Sequence, residues 1–205
     1  MKSNRYQDYV IKDGRFVGQF EEMYQNFDDP WHQSEEQNNQ YSYSRLISLL
    51  NIKRFGINSV VEFGCGLGYY TKMISDIGSV SVRGIDISET AISKAKTNFP
   101  HLDFAVDQVQ NIDNYKDYDA VLFAEIVWYI LDDINLIFEK MSKNMKGKYF
   151  LNNLVFYKGH QQYGREYFTS LKEFIDFVPF TLIGHSEATT VDSDTVETSS
   201  IFLIE

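Results

Sequence analysis

Cysteine is almost absent from this chain, where Cys65 stands alone. One thiol cannot close an internal disulfide, so a packed core must hold the fold, and the reducing cytoplasm is the expected compartment. Proline is nearly as scarce, with three residues, and there is no low-complexity tract. That argues against long stiff linkers and for one domain in 205 residues. No apolar run reaches the roughly 18 residues of a membrane-spanning helix. The opening Met-Lys-Ser-Asn-Arg-Tyr-Gln-Asp lacks the apolar centre of a signal peptide. Positive charge is short as well: 19 Lys and Arg against 29 Asp and Glu leave a net charge of −10. A nucleic acid would meet general repulsion without a compensating basic patch. The densest basic group is Lys140, Lys143, Lys146 and Lys148. It falls at a helix end and the following turn, where cations favour the helix dipole. The expected partner is a small molecule, with no nucleic acid and no membrane. Oligomeric state is not legible.

Aromatic residues are plentiful, and from Ser59 onward strand-like and helix-like segments alternate. Apolar runs occur at 60–63, 80–85, 102–106, 120–124, 149–155, 180–183 and 201–204. The first five are short, continuous and bounded by Gly, Asp or Asn, as in strands buried on both faces of a parallel sheet. Helices are expected at 69–77, at 89–98 behind Ser88 as N-cap, at about 133–144 behind Asp132 or Asp133, and at 168–177 behind Thr169 or Ser170. Residues 187–200 read as a long polar stretch between the last two strands. The alternation implies a doubly wound α/β sheet.

Residues 1–55 are helical and polar, and are expected to form a lid over a core spanning 56–205. Within them, Tyr43, Leu46, Ile47, Leu50 and Phe55 line one helix face that should pack on the sheet.

Residues 60–68, Val-Val-Glu-Phe-Gly-Cys-Gly-Leu-Gly, are the most informative stretch. An apolar strand runs through Glu62 into three alternate glycines and a helix. Glycines lack Cβ where a ligand must lie against backbone, and the N–H groups of a helix start can face a polar ligand. The NAD fingerprint is Gly-x-Gly-x-x-Gly; here the third glycine arrives one residue early and Tyr69 stands in its place. Open α/β sheets bind ligands beyond the carboxyl ends of their strands. The loops there begin at Gly64, Asp86, Asp107 and Glu125.

Together these residues resemble the S-adenosylmethionine (SAM) site of class I SAM-dependent methyltransferases. The resemblance covers residues 60–205 and implies a Rossmann-like seven-stranded sheet, mostly parallel, with an antiparallel last strand. It implies that Gly64, Gly66 and Gly68 admit the methionine and ribose, with Cys65 giving only backbone. Glu62 orients the turn or reaches the methionine amine through water. Asp86 accepts from the ribose hydroxyls. Ile87 and Val109 cover adenine, Asp107 and the Gln108 N–H meet its edge, and the Ala124 carbonyl meets the methionine amine. No metal is expected, since no cluster has metal-ligand spacing.

Asp29-Pro30-Trp31, with Ala124-Glu125-Ile126-Val127-Trp128-Tyr129-Ile130, further resembles the nodulation N-methyltransferase type, which methylates an amino sugar. Where that type carries basic residues after the tryptophan, this chain has Gln40 and Tyr41; Arg45 is the nearest cation. Trp31, Trp128 and Tyr24 are candidates for holding a sulfonium by cation–π contact. Tyr24, Trp128, Tyr129 and Tyr157 are the expected acceptor contacts. A nitrogen acceptor needs only a free lone pair, whereas a hydroxyl needs a base, for which Glu125, His32 and His160 are the candidates. His101 and His185 receive no role. Two other readings stay open: a non-catalytic SAM- or nucleotide-binding module, and an NAD-dependent oxidoreductase.

Overall fold

The computed structural model describes residues 5–12, 15–161 and 164–205. The N-terminal segment holds α1 (Gln7–Val10), a hairpin of β1 (Ile11–Lys12) and β2 (Arg15–Phe16), α2 (Phe20–Asn26) and α3 (Tyr43–Arg54). The hairpin was not foreseen. Beyond it come β3 (Ser59–Phe63), α4 (Tyr69–Ser75), β4 (Ser81–Asp86), α5 (Glu89–Asn98), β5 (Asp103–Val106) and β6 (Ala120–Ala124). The chain closes with α6 (Ile134–Asn144), β7 (Tyr149–Tyr157), α7 (Leu171–Phe177), β8 (Thr181–Ala188) and β9 (Thr195–Leu203).

The sheet order is β5-β4-β3-β6-β7-β9-β8. β3, β4, β5, β6 and β7 run parallel. β9 is antiparallel to both β7 and β8, as the resemblance implied. Strand order reverses between β3 and β6, and a ligand cleft is expected above that point. Alternate strand residues feed two cores, one per face. Val61, Phe63, Val121, Phe123, Phe150 and Phe202 pack with α6 and α7. Val60, Val82, Leu122, Leu151 and Ile201 pack with Ile52 of α3 and with Tyr70 and Ile74 of α4.

Helix starts follow the expected chemistry in two places. The Ser88 hydroxyl accepts from the Ala91 N–H, and the Ser170 hydroxyl from the Glu173 N–H. At α6 the expectation fails. A 3-10 turn at 131–133 leads into the helix, and Asp133 makes no side-chain cap; its carboxylate takes the Gln110 amide at 2.6 Å.

Two larger expectations are overturned. The polar stretch 187–200 is mostly strand, because β8 extends to Ala188 and β9 begins at Thr195. In addition, α3 docks with the opposite face. Its buried residues are Ser44, Arg45, Ser48 and Ile52, while Tyr43, Leu46 and Leu50 are exposed; of the expected residues, Phe55 packs on the core. The reason is a polar seam in the sheet. The Asn153 amide donates to the Ser44 carbonyl at 3.0 Å and the Ser48 hydroxyl at 2.9 Å, and its oxygen accepts from the Tyr70 hydroxyl at 3.1 Å. Ser48 and Ser199 share a further hydrogen bond at 2.9 Å. A buried polar strand residue demands partners, and the serine face of α3 supplies them together with Tyr70 of α4.

Candidate functional site

A cavity of about 750 Å³ opens at the carboxyl ends of β3, β4, β5 and β6 and runs under the N-terminal segment. Its floor includes Gly64, Asp86, Ile87, Asp107, Gln108, Val109, Ala124 and Glu125. Tyr24, Trp31, His32, Trp128, Tyr129, Tyr157 and Arg45 also line it.

Asp86 ties the floor together. Burial pushes its carboxyl up, while the N–H groups of Ser88 and Gly66 hold the charged form. Those two donors lie 2.9 Å from its two oxygens, so the end of β4 is pinned to the glycine turn. The glycines are tight for a different reason than expected. Gly64, at φ +79°, faces Ile126, and any Cβ there would collide with it. Gly68, at φ +82°, would drive a Cβ to 2.6 Å from the Phe104 ring and 3.2 Å from Ala95. Gly66 faces the side chains of Gln33 and Tyr24. Each glycine therefore admits protein side chains against the turn, and of the three Gly64 lines the cavity. Cys65 is fully buried.

Glu62 lies beneath the turn rather than in the cavity. Burial lifts its carboxyl to about 7, against the opposing Thr71 hydroxyl and Arg45 charge. The Thr71 hydroxyl donates to it at 2.6 Å. Asp107 is half-buried and heavily engaged: its oxygens accept from the Gln108 N–H, the Asn111 amide and the Tyr115 hydroxyl. Partial burial alone would raise its carboxyl, but the Asn111, Tyr115 and Gln108 hydrogen bonds hold it low. The Gln108 N–H assigned to a ring nitrogen is thus turned onto Asp107.

Three ties hold the N-terminal segment over this floor. Glu21 of α2 accepts from the Ser88 hydroxyl at 2.6 Å, the Thr90 N–H at 3.1 Å and the Thr90 hydroxyl at 2.6 Å. Partial burial alone would raise that carboxyl; the Ser88 and Thr90 donors bring it down to about 2. Lys94 of α5 donates to the Tyr24 and Phe27 carbonyls at 2.8 Å each, at the end of α2. Gln33 accepts the Leu67 N–H at 2.8 Å. Aromatic edges build the roof, with Trp31 against Tyr6 at 5.2 Å and Tyr129 against Phe16 at 5.3 Å and Phe20 at 5.2 Å.

The end of the cavity nearest β7 and β9 is polar. Glu125 sits at φ +62°, rare for a residue with a side chain. Its N–H is fixed to the Asn153 carbonyl at 2.9 Å. Burial pushes its carboxyl up; Arg45 opposes this and Glu197 adds to it. Arg45 donates to the Asn39 side-chain oxygen at 2.7 Å and lies 5.0 Å above the Tyr70 ring.

A family model described as nodulation protein S (NodS) matches residues 17–145, well over half of the chain. The chain belongs to the NodS family. That places it among the class I SAM-dependent methyltransferases, and the NAD reading has no support left. The solved NodS N-methyltransferase of Bradyrhizobium japonicum WM9, in complex with S-adenosyl-L-homocysteine (SAH), superposes with a TM-score of 0.69. It is 17% identical, with 91% of this chain and 97% of that one covered, so the two share a fold. A putative methyltransferase, 235L, of Invertebrate iridescent virus 6 is 33% identical over 100 residues, 47% of this chain and 38% of its own length. The mitochondrial ubiquinone biosynthesis O-methyltransferase of Dictyostelium discoideum is 27% identical over 116 residues, 48% of this chain and 36% of its own length. The chain thus spans under two-fifths of those two relatives.

The two histidines weighed as bases in this NodS-family chain are both exposed. His160 is exposed and is not part of the wall; its neighbour Gln161 is, buried, with its side-chain oxygen 3.1 Å from the Tyr157 N–H. His32, at φ +52°, reaches the wall but pairs with Glu35 at 2.9 Å in solvent. Among the described residues no three His, Cys, Asp or Glu side chains group as a metal site. No helix among them is long and apolar enough to cross a membrane. Lys140 and Lys148 of the basic group pair with Asp113 and Asp119, and neither lines the cavity.

Sequence reasoning passed over Gln33, Gln161 and Glu197. Polar residues inside an apolar strand, such as Asn153 and Ser199, were the available signal. They mark where β7 and β9 meet something other than a greasy helix.

Proposed function

We propose that this chain transfers the methyl group of SAM to a nitrogen of a small polar acceptor, an amino sugar or an activated precursor used in bacterial surface-polysaccharide synthesis. The observation that carries the reading is one continuous cavity. It joins the strand-end loops at Gly64, Asp86, Asp107 and Ala124 to an aromatic roof and to Glu125. The residues fit SAM. Asp86 holds a buried carboxylate at the end of β4, where two ribose hydroxyls can donate to its remaining lone pairs. Ile87 leaves 58% of its surface exposed on the rim, a flat apolar ledge for a base. The Ala124 carbonyl and Arg45 would meet the amine and carboxylate of the methionine part.

SAM supplies a methyl already activated by positive sulfur. The chain's task is alignment and exclusion of water. Trp31, Tyr24 and Tyr129 roof the site, and electron-rich ring faces favour a sulfonium. Glu125 is placed to orient an acceptor amine and take the proton that it gives up. Burial, which pushes that carboxyl up, makes it a better proton acceptor than a solvated one.

The test is mass spectrometry of purified protein with SAM and a panel of amino sugars, nucleotide-linked sugars and small amines. A product heavier by one methylene, together with SAH, is expected, with fragmentation placing the methyl on nitrogen. SAM binding without turnover across the panel would favour a non-catalytic module. Absence of SAM binding would overturn the reading of the glycine loop.

A further inference from the structure

The end of the cavity beyond Glu125 holds a second carboxylate, and it lies outside the matched family segment of 17–145. Glu197 sits on β9 opposite Val155 of β7. One of its oxygens is fully engaged: Oε2 accepts from the Ser42 hydroxyl at 2.6 Å and from the Ser44 N–H and hydroxyl at 3.2 Å each. Those three donors at the start of α3 fix the side chain in one orientation. Its other oxygen, Oε1, takes no hydrogen bond from any described residue, and the side chain forms part of the cavity wall. A carboxylate needed only as a helix cap has no reason to stand at a cavity.

Glu125 faces the same end from the other side of β7. Its N–H is bonded to Asn153, and its carboxylate likewise receives no hydrogen bond from a described residue. The two acids stand on either side of β7, two strand spacings or about 9.6 Å apart across the sheet. Two glutamate side chains span that gap over Val155, which also lines the cavity. Tyr157, Thr195 and Gln161 complete this end. Around the whole cavity the acids Asp86, Asp107, Glu125 and Glu197 face one guanidinium, Arg45, and the exposed His32. Oε1 of Glu197 and the Glu125 carboxylate, which take no hydrogen bond from a described residue and have the Arg45 charge nearby, leave a half-buried acidic recess that a donor-rich cation would satisfy.

We propose that Glu197 is an acceptor-binding residue that, with Glu125, clamps a protonated primary amine and so selects amine-bearing acceptors over their neutral N-acyl counterparts. An ammonium brings three N–H donors and no acceptor, which matches two carboxylates and rejects an amide. This rests on the methyltransferase reading above and names how its acceptor is chosen.

The test uses the full chain saturated with SAH, with glucosamine and N-acetylglucosamine as probes, followed by ligand-observed NMR near neutral pH. Glucosamine is expected to bind on the order of tenfold tighter, the scale of one charge-assisted hydrogen bond. Glu197→Gln keeps the side-chain shape and an oxygen for Ser42 and Ser44. It should erase most of that preference while SAH affinity stays within about twofold. Glu197→Asp, which keeps the charge on a shorter arm, should retain part of it. A purely structural role for Glu197 would weaken both sugars alike. Equal binding of the two sugars by the native chain, binding of neither, or an unchanged preference in Glu197→Gln, with SAH still bound, overturns the clamp and leaves the methyltransferase reading standing. Loss of SAH binding by the native chain overturns that reading instead.

Discussion

Asp86 carries two burdens at once. It accepts from backbone donors that hold the glycine turn, and it offers its remaining lone pairs to a ribose. Replacing it by Ala removes charge-assisted hydrogen bonds worth about 1.5–3 kcal/mol each. SAH affinity, measured by titration calorimetry, should fall at least about tenfold. Unchanged affinity would refute the ribose assignment. Glu62 makes a different kind of prediction. Its folded carboxyl titrates at about 7, raised by burial from an ordinary 4.5. A folded state that binds the proton more tightly is favoured at low pH. That contribution is complete below 4.5 and is lost as pH rises through about 7. Relative to Glu62→Gln, which cannot titrate, the native chain should lose stability between pH 5 and 8. Urea midpoints across that range check it, and parallel profiles would show that Glu62 does not titrate there.

Among the elements, α3 and α2 have the most to say. α3 binds the sheet through a serine face, so its energetics should invert the usual helix pattern. Asn153→Ala removes a hydrogen-bond partner from the Tyr70 hydroxyl, the Ser48 hydroxyl and the Ser44 carbonyl in the core, at a cost of about 1–3 kcal/mol. Leu50→Glu touches an exposed position and should stay within about 0.5 kcal/mol. Chemical denaturation of the two variants separates this docking from an apolar one, which would reverse their order. For α2, Glu21→Ala cuts the tie to Ser88 and Thr90. Hydrogen exchange over 20–26 should quicken, and SAH should leave several-fold faster. The order of β3 to β7 was legible because strands buried on both faces must be continuous apolar runs. So was α5, because Ser88 announces its cap. The face of α3 and the start of β9 were not. Their polarity answers partners more than 100 residues away, as Asn153 does for Ser44 and Ser48. No local pattern contains that information.

Across the whole molecule, the roof shares packing with the core. Met23 and Tyr24 of α2 cluster with Leu67 after the glycine turn and with Ala91 of α5. Trp31 lies in the roof, whereas Trp128 packs on Phe156 and Phe168 at 5.5 Å and 5.1 Å in the large core. The chain has two tryptophans, so single Trp→Phe variants give each region its own fluorophore. Their unfolding curves in urea should superimpose, as for one cooperative unit. Separated midpoints would make residues 5–55 an independently melting arm. The floor of the cavity was foreseen as four loop starts converging on one place, because strand ends in an open α/β sheet leave little choice. Of its polar end, Glu125, Arg45 and Tyr157 were foreseen, whereas Glu197 was not, since it reaches the cavity through the pairing of β9 with β7.

The left-handed backbone at Glu125 sets stability and purpose against each other. Holding a side-chain-bearing residue at φ +62° costs on the order of 1 kcal/mol, and glycine would carry that geometry freely. A search for hardier versions of this protein would therefore be drawn to Glu125→Gly. The winner of such a search would be a sturdier molecule with the proposed proton acceptor missing, and heat tolerance would be the wrong trait by which to judge it.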